Sequence, residues 1–173
     1  MENRQYDRYL SDVPASQNVD PQKVFPMKWF KFVIWVQLFL SALSTLISGI
    51  QCLSGGHYGD QADTVYAMFP NLKGVDQFYG IALIALAAFC IYARMRLAGF
   101  KVNGPKMYYI VLICNLVMPL LYMFRTTYII QSSPYGNAYP ADYSYNIGSM
   151  VGLAVMFVCN VYYFQKRKDL FIN

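Results

Sequence analysis

Charge is what this chain has least of. Only 13% of its 173 residues are Asp, Glu, Lys or Arg, about half the share usual in a soluble domain, and just nine of them are acidic. So little charge, beside 57% hydrophobic and 17% aromatic residues, excludes a disordered segment and a collagen-like fibre. There is a single histidine, His57, and one imidazole makes no metal site. The four cysteines, Cys52, Cys90, Cys114 and Cys159, include no C-x-x-C pair, which favours small buried hydrophobes over a soft-metal or redox centre. No phosphate-cradling G-x-x-x-x-G-K-[ST], no G-x-S-x-G elbow and no H-E-x-x-H occurs. The expectation is a protein that is no enzyme and carries no cofactor.

What the sequence has instead is long uncharged apolar runs and a mean hydropathy of +0.30. A hydrocarbon core about 30 Å thick takes roughly 20 apolar residues of helix, and four stretches answer to that: 32–53, 77–93, 107–130 and 143–165. Lys28 and Lys31 precede the first, and Ser54, Gly55 and Gly56 follow it. The second is bounded by Asp76 and Arg94, the third opens after Gly104 and Pro105 and passes Arg125, and the fourth ends at Lys166, Arg167 and Lys168. The first run is too long for a cleaved signal peptide and no small-residue cleavage site follows it. The pattern predicts an all-α membrane protein: four transmembrane helices in an antiparallel bundle over 32–165, a polar tail over 1–31 and a basic tail over 166–173.

Orientation follows from the basic residues, which cytoplasmic loops retain. Twelve of the fourteen lie in the first tail, in the connection holding Arg94, Arg96, Lys101 and Lys106, or at the end; only Lys73 and Arg125 fall on the other side. Both termini are therefore expected on the cytoplasmic side. A net charge of +5 serves this asymmetry and not a nucleic-acid surface. In the first outer connection Asp60 is placed to cap a short helix running towards Phe69 and ended by Pro70.

Within the runs, polar residues are few and their uses limited. Gln37, Ser41, Ser44 and Ser48 in the first, and Asn115 beside Pro119 in the third, mark a candidate polar path, since a proline deprives the carbonyl four residues earlier of its helical donor. Gly148 and Gly152 form G-x-x-x-G, the pattern by which membrane helices approach closely. By the charge-bounded spans no carboxylate lies within any of them, which weighs against proton or cation coupling. Asp76 and Asp142 are read as outer-rim charges beside Arg125, which is expected to snorkel or to pair with one of them.

The chain ends in Asn160, Tyr163, Phe164, Lys166, Arg167, Lys168, Leu170 and Phe171, spaced as N-x-x-Y-F-x-K-R-K-x-L-F. That ending resembles small, uncharacterised bacterial inner-membrane proteins with four helices. The resemblance implies a location and no activity. The expectation is a non-catalytic accessory or scaffold subunit that associates with itself or another membrane protein through Gly148 and Gly152. The alternative is a small channel or carrier for an uncharged or lipid-like solute.

Overall fold

Residues 28–135, 144–166 and 171 are described by the computed structural model, and among them the structure is helical with short turns and no strand. The polar tail to residue 27, Asp142 with most of the second outer connection, and residues 167–170 lie outside the described residues.

The first uncharged run carries one helical rod in three parts: α1 (Lys28–Phe32), a π-helical turn (Val33–Gln37) and α2 (Leu38–Ser54). Inside the π-turn the Leu38 N–H donates to Val33 O, which leaves a neighbouring carbonyl unsatisfied by the helix. Arg94 answers it: its Nε donates to Ile34 O at 3.2 Å while its guanidinium lies 4.5 Å from the centre of the Trp35 ring. The rod stops at Gly55, whose φ of +72° gives the left-handed turn that ends a helix. A 3-10 turn (Gly56–Gln61) and a short helix, α3 (Ala62–Met68), then lie across that end. The cap of α3 is Gln61, without a side-chain hydrogen bond, so Asp60 does not serve as its N-cap. Pro70 occupies the first turn of α4 (Pro70–Ala98), and Pro105 that of α5 (Gly104–Gln131), where a missing N–H costs nothing. Helix α6 (Ser144–Gln165) completes the described chain.

Three helical segments, Lys28–Met68, Pro70–Ala98 and Gly104–Gln131, are long and apolar enough to cross a membrane. Their most apolar windows are only 33, 33 and 17% buried, so most of that surface faces outward. Trp35, Phe78, Leu121 and Phe124 are all more than half exposed. Such a surface would aggregate in water and is ordinary against hydrocarbon.

Consecutive helices pack side by side, α2 on α4, α4 on α5 and α5 on α6. The closest approach joins α2 and α4 at Gly49 and Gly80. A Cβ on Gly80 would sit 2.8 Å from Gly49 O, and one on Gly49 would sit 3.0 Å from Gly80 O. Gly148 and Gly152 play no such part among the described residues: both are exposed, and a Cβ on either would meet no described atom within 4 Å.

The buried core gathers at one end, the end holding Arg94, Arg96 and Lys166. There Phe30, Tyr108, Phe164 and Phe171 meet edge to face, with Phe30 stacked on Phe100 at 5.1 Å. Phe100 holds φ at +50° in the turn between α4 and α5, a strained value for a residue with a side chain. Trp29 Nε1 donates to Asn160 Oδ1 at 3.1 Å, tying the start of the rod to α6, and the fully buried Asn160 donates in turn to Met156 O. This end is closed. The opposite end, where α3 lies, is not.

Candidate functional site

At the open end α2, α4 and α5 spread around a cavity of about 490 Å³. Ser44, Thr45 and Ser48 reach it from α2, with Gln51 and Cys52 one turn on; Asn115, Pro119 and Tyr122 line it from α5. Those intervals of three and four residues place each set on one face of its helix. Pro119 lies inside α5, so the Asn115 carbonyl has no N–H four residues ahead to receive. Of the polar path marked in the sequence, Ser44, Ser48, Asn115 and Pro119 stand on the cavity. Gln37 and Ser41 do not. Gln37 Oε1 accepts from Tyr108 OH at 2.9 Å in the closed end, and Ser41 hydrogen-bonds the buried Cys90.

Behind the cavity wall stands Asp76, with no exposed surface. It lies in the second turn of α4, inside a helix that begins at Pro70, seven residues before the charge-free run. Asp76 therefore belongs to the apolar helix and is not a free rim charge. Three elements converge on its carboxylate. Tyr122 OH of α5 donates to Oδ1 at 2.8 Å, Tyr66 OH of α3 donates to Oδ2 at 3.1 Å, and His57 Nε2 lies 3.6 Å from Oδ2. The other ring nitrogen, Nδ1, is 3.3 Å from Gln51 O. A carbonyl only accepts, so Nδ1 carries a proton there. Tyr79, one turn beyond Asp76, stacks on Tyr122 at 4.2 Å and holds that phenol in place.

Around this carboxylate the phenols of the segment over the cavity keep their protons. Tyr58 is pushed up by burial and by the charge of Asp76. Tyr66 is pushed up to about 12 by burial and by the hydrogen bond it donates to that carboxylate. Tyr58 and Tyr66 meet edge to face at 5.6 Å, and Tyr58 lies against His57 at 3.8 Å. The 3-10 turn and α3 are thus fastened to α4 and α5 through one carboxylate.

Sequence reasoning found no acid and base at one depth; the fold brings His57 and Asp76 together from nineteen residues apart. As chemistry the pair is occupied. Both nitrogens of His57 face acceptors, and Asp76 is sealed behind Tyr66 and Tyr122. Arg125 does not pair with Asp76: it is exposed and makes no ion pair among the described residues. No group of three or more potential metal ligands occurs among the described residues. His57, Tyr66, Tyr79 and Tyr122 were not legible as site residues. The available signal was Phe69-Pro70, a helix start that would have carried Asp76 inside α4.

No protein-family model matches the chain, and neither a curated protein nor a solved structure shows significant similarity to it.

Proposed function

We propose that this chain is a multi-pass protein of the bacterial cytoplasmic membrane, four antiparallel helices with both termini cytoplasmic, and that it is a non-catalytic carrier for a small uncharged solute. The observation that carries the reading is the cavity of about 490 Å³ lined by Ser44, Ser48 and Asn115 between helices whose outer surfaces are apolar. Hydroxyl and amide groups at such a place serve a solute or interhelical contacts; Asn115 also bonds Cys90 of α4, while Ser44 and Ser48 border open volume. The positive-inside rule sets the basic, closed end at the cytoplasm and the cavity at the outer face. Tyr108 and Phe164, buried at the closed end, favour a carrier over an open pore.

The test is uptake by proteoliposomes holding the full chain. A panel of uncharged radiolabelled solutes should include at least one that enters faster than into empty liposomes, and Ser48→Trp, which fills the cavity, should abolish that uptake. Absence of uptake across the panel would overturn the carrier reading. A carboxyl-terminal reporter active on the cytoplasmic side supports the orientation, and activity on the far side would reverse it.

A scaffold reading rests on a separate observation: Gly148 and Gly152 are exposed on α6 with no described atom within 4 Å of an added Cβ. A G-x-x-x-G face with no partner among the described residues suits a second membrane helix. Replacing both with Ile should weaken association in the bilayer; unchanged association would dismiss this reading.

A further inference from the structure

The hydrogen-bonding groups of the cavity's wall divide into those already committed within the protein and those left open. Four of its side chains already give a proton to the protein. Ser44 Oγ donates to Ser41 O at 3.1 Å, Asn115 Nδ2 to Val111 O at 2.9 Å, Thr126 Oγ1 to Met123 O at 3.1 Å and Tyr122 OH to Asp76 Oδ1 at 2.8 Å. Each hydroxyl has one proton only, so the oxygens of Ser44 and Thr126 remain as acceptors and Asn115 keeps its Oδ1, while Tyr122 OH, also 3.4 Å from His57 Nε2, is engaged within the protein. The Pro119 ring removes the N–H that would ordinarily bond the Asn115 carbonyl. His57 contributes no free nitrogen.

Charge narrows the choice further. Among the described residues no Lys or Arg lines the cavity, so an anion would shed its water with no counter-charge to meet it. A cation fares little better, because Asp76 is not on the wall and its oxygens already receive Tyr66 and Tyr122. What the wall offers is neutral donors and neutral acceptors side by side, since Ser48, Thr45, Gln51 and Tyr79 can donate where Ser44 and Thr126 accept, and a volume of about 490 Å³ falls in the range of small-molecule sites.

Building on the carrier reading, we propose that the ligand of this cavity is a polyol: a compact, uncharged molecule bearing several hydroxyl groups. It donates to the oxygens of Asn115, Ser44 and Thr126 and accepts in return from Ser48 and Thr45. Lipid tails, lacking donors, are poor occupants of the same wall.

The experiment uses the full chain in nanodiscs and isothermal titration with three probes: myo-inositol, its fully O-methylated derivative, and choline. Binding of myo-inositol is expected, with at least a tenfold loss on methylation, since methylation removes every donor and keeps every oxygen. Asn115→Leu, close in volume, should weaken myo-inositol about tenfold, which corresponds to one hydrogen bond of about 1.4 kcal/mol. Methylated inositol binding as well as the parent, choline binding in its place, or no inositol binding at all would each overturn the polyol assignment.

A second measurement separates that failure from failure of the cavity itself. Ser48→Cys, in a background with the native cysteines replaced by Ala, should react with a water-soluble thiol reagent from outside and be protected by myo-inositol. An introduced thiol that reacts yet is protected only by another solute class removes the polyol and leaves the carrier. An introduced thiol that does not react removes the water-filled cavity on which both depend.

Discussion

Replacing Asp76 should release the segment that covers the open end without unfolding the closed end. The carboxylate receives Tyr122 OH at 2.8 Å and Tyr66 OH at 3.1 Å, with His57 at 3.6 Å. A hydrogen bond to a charged group contributes about 1.5–3 kcal/mol. Asp76→Asn retains one oxygen for one phenol and turns an N–H₂ towards the other, so it loses about one such bond. Asp76→Leu leaves Tyr66 without its acceptor and Tyr122 with only His57 Nε2 at 3.4 Å, a cost of about 3–5 kcal/mol, typical of breaking a buried charged contact. At about 1.4 kcal/mol per factor of ten, backbone amides of residues 57–68 should exchange with solvent about ten- to a hundredfold faster in the Asn variant. In the Leu variant the factor should be about 10² to 4 × 10³. Hydrogen exchange in nanodiscs measures this, with amides around Cys90, which is fully buried in the closed end, as the internal reference. Unchanged exchange over 57–68 in Asp76→Leu would refute the reasoning, and so would an equal rise around Cys90.

Gly80→Val should destabilise the α2–α4 contact by about 1–3 kcal/mol, because its Cβ would lie 2.8 Å from Gly49 O. Gly148→Val, which meets no described atom within 4 Å, should leave thermal unfolding of the monomer unchanged. Tyr108→Phe removes the donor to Gln37 Oε1 and should cost about 1 kcal/mol in the same melt. Alkali should free the covering segment. Tyr66, pushed up to about 12, keeps in the folded state a proton that an unfolded tyrosine loses near pH 10. Its contribution is full below about pH 10 and is lost as the pH rises towards 12. Exchange over 57–68 should rise across that interval, and Tyr66→Phe should remove the step.

The apolar runs were legible because lipid imposes length and absence of charge on a sequence, and the helices found at 28–54, 70–98, 104–131 and 144–165 overlap each of them. Their ends were not, because a charge was taken as a boundary. Asp76 and Arg94 both sit inside α4, where tertiary partners answer them: two phenols for the carboxylate, Ile34 O and the Trp35 ring for the guanidinium. Neither partner set is periodic in sequence. Ser44, Ser48, Asn115 and Pro119 could be picked out one by one as polar or kinking residues in apolar helices. That they border one cavity while Gln37 and Ser41 do not depends on the splay of α2 from α5, which no local pattern encodes. Small residues mislead in the same way. Gly148 and Gly152 have the recognised spacing, whereas the glycines in close contact, Gly49 and Gly80, lie on different helices and form no motif.

Pro119 offers the sharpest division between holding the fold together and serving a solute. A proline in a helix interior costs about 3 kcal/mol relative to alanine, moderated in apolar helices where neighbours satisfy the freed carbonyl. Pro119 gives the Asn115 carbonyl no N–H four residues ahead, and Asn115 borders the cavity. Pro119→Ala supplies the missing N–H, closes that bond and should raise stability by about 1–3 kcal/mol in nanodisc unfolding. The same change stiffens α5 beside Tyr122, which holds Asp76. Uptake should therefore fall as stability rises, the opposition expected where a fold keeps a costly residue for function. A variant that gains stability and transports as well as the parent would assign Pro119 to helix packing alone, and a variant that loses both would make the kink a requirement of the fold.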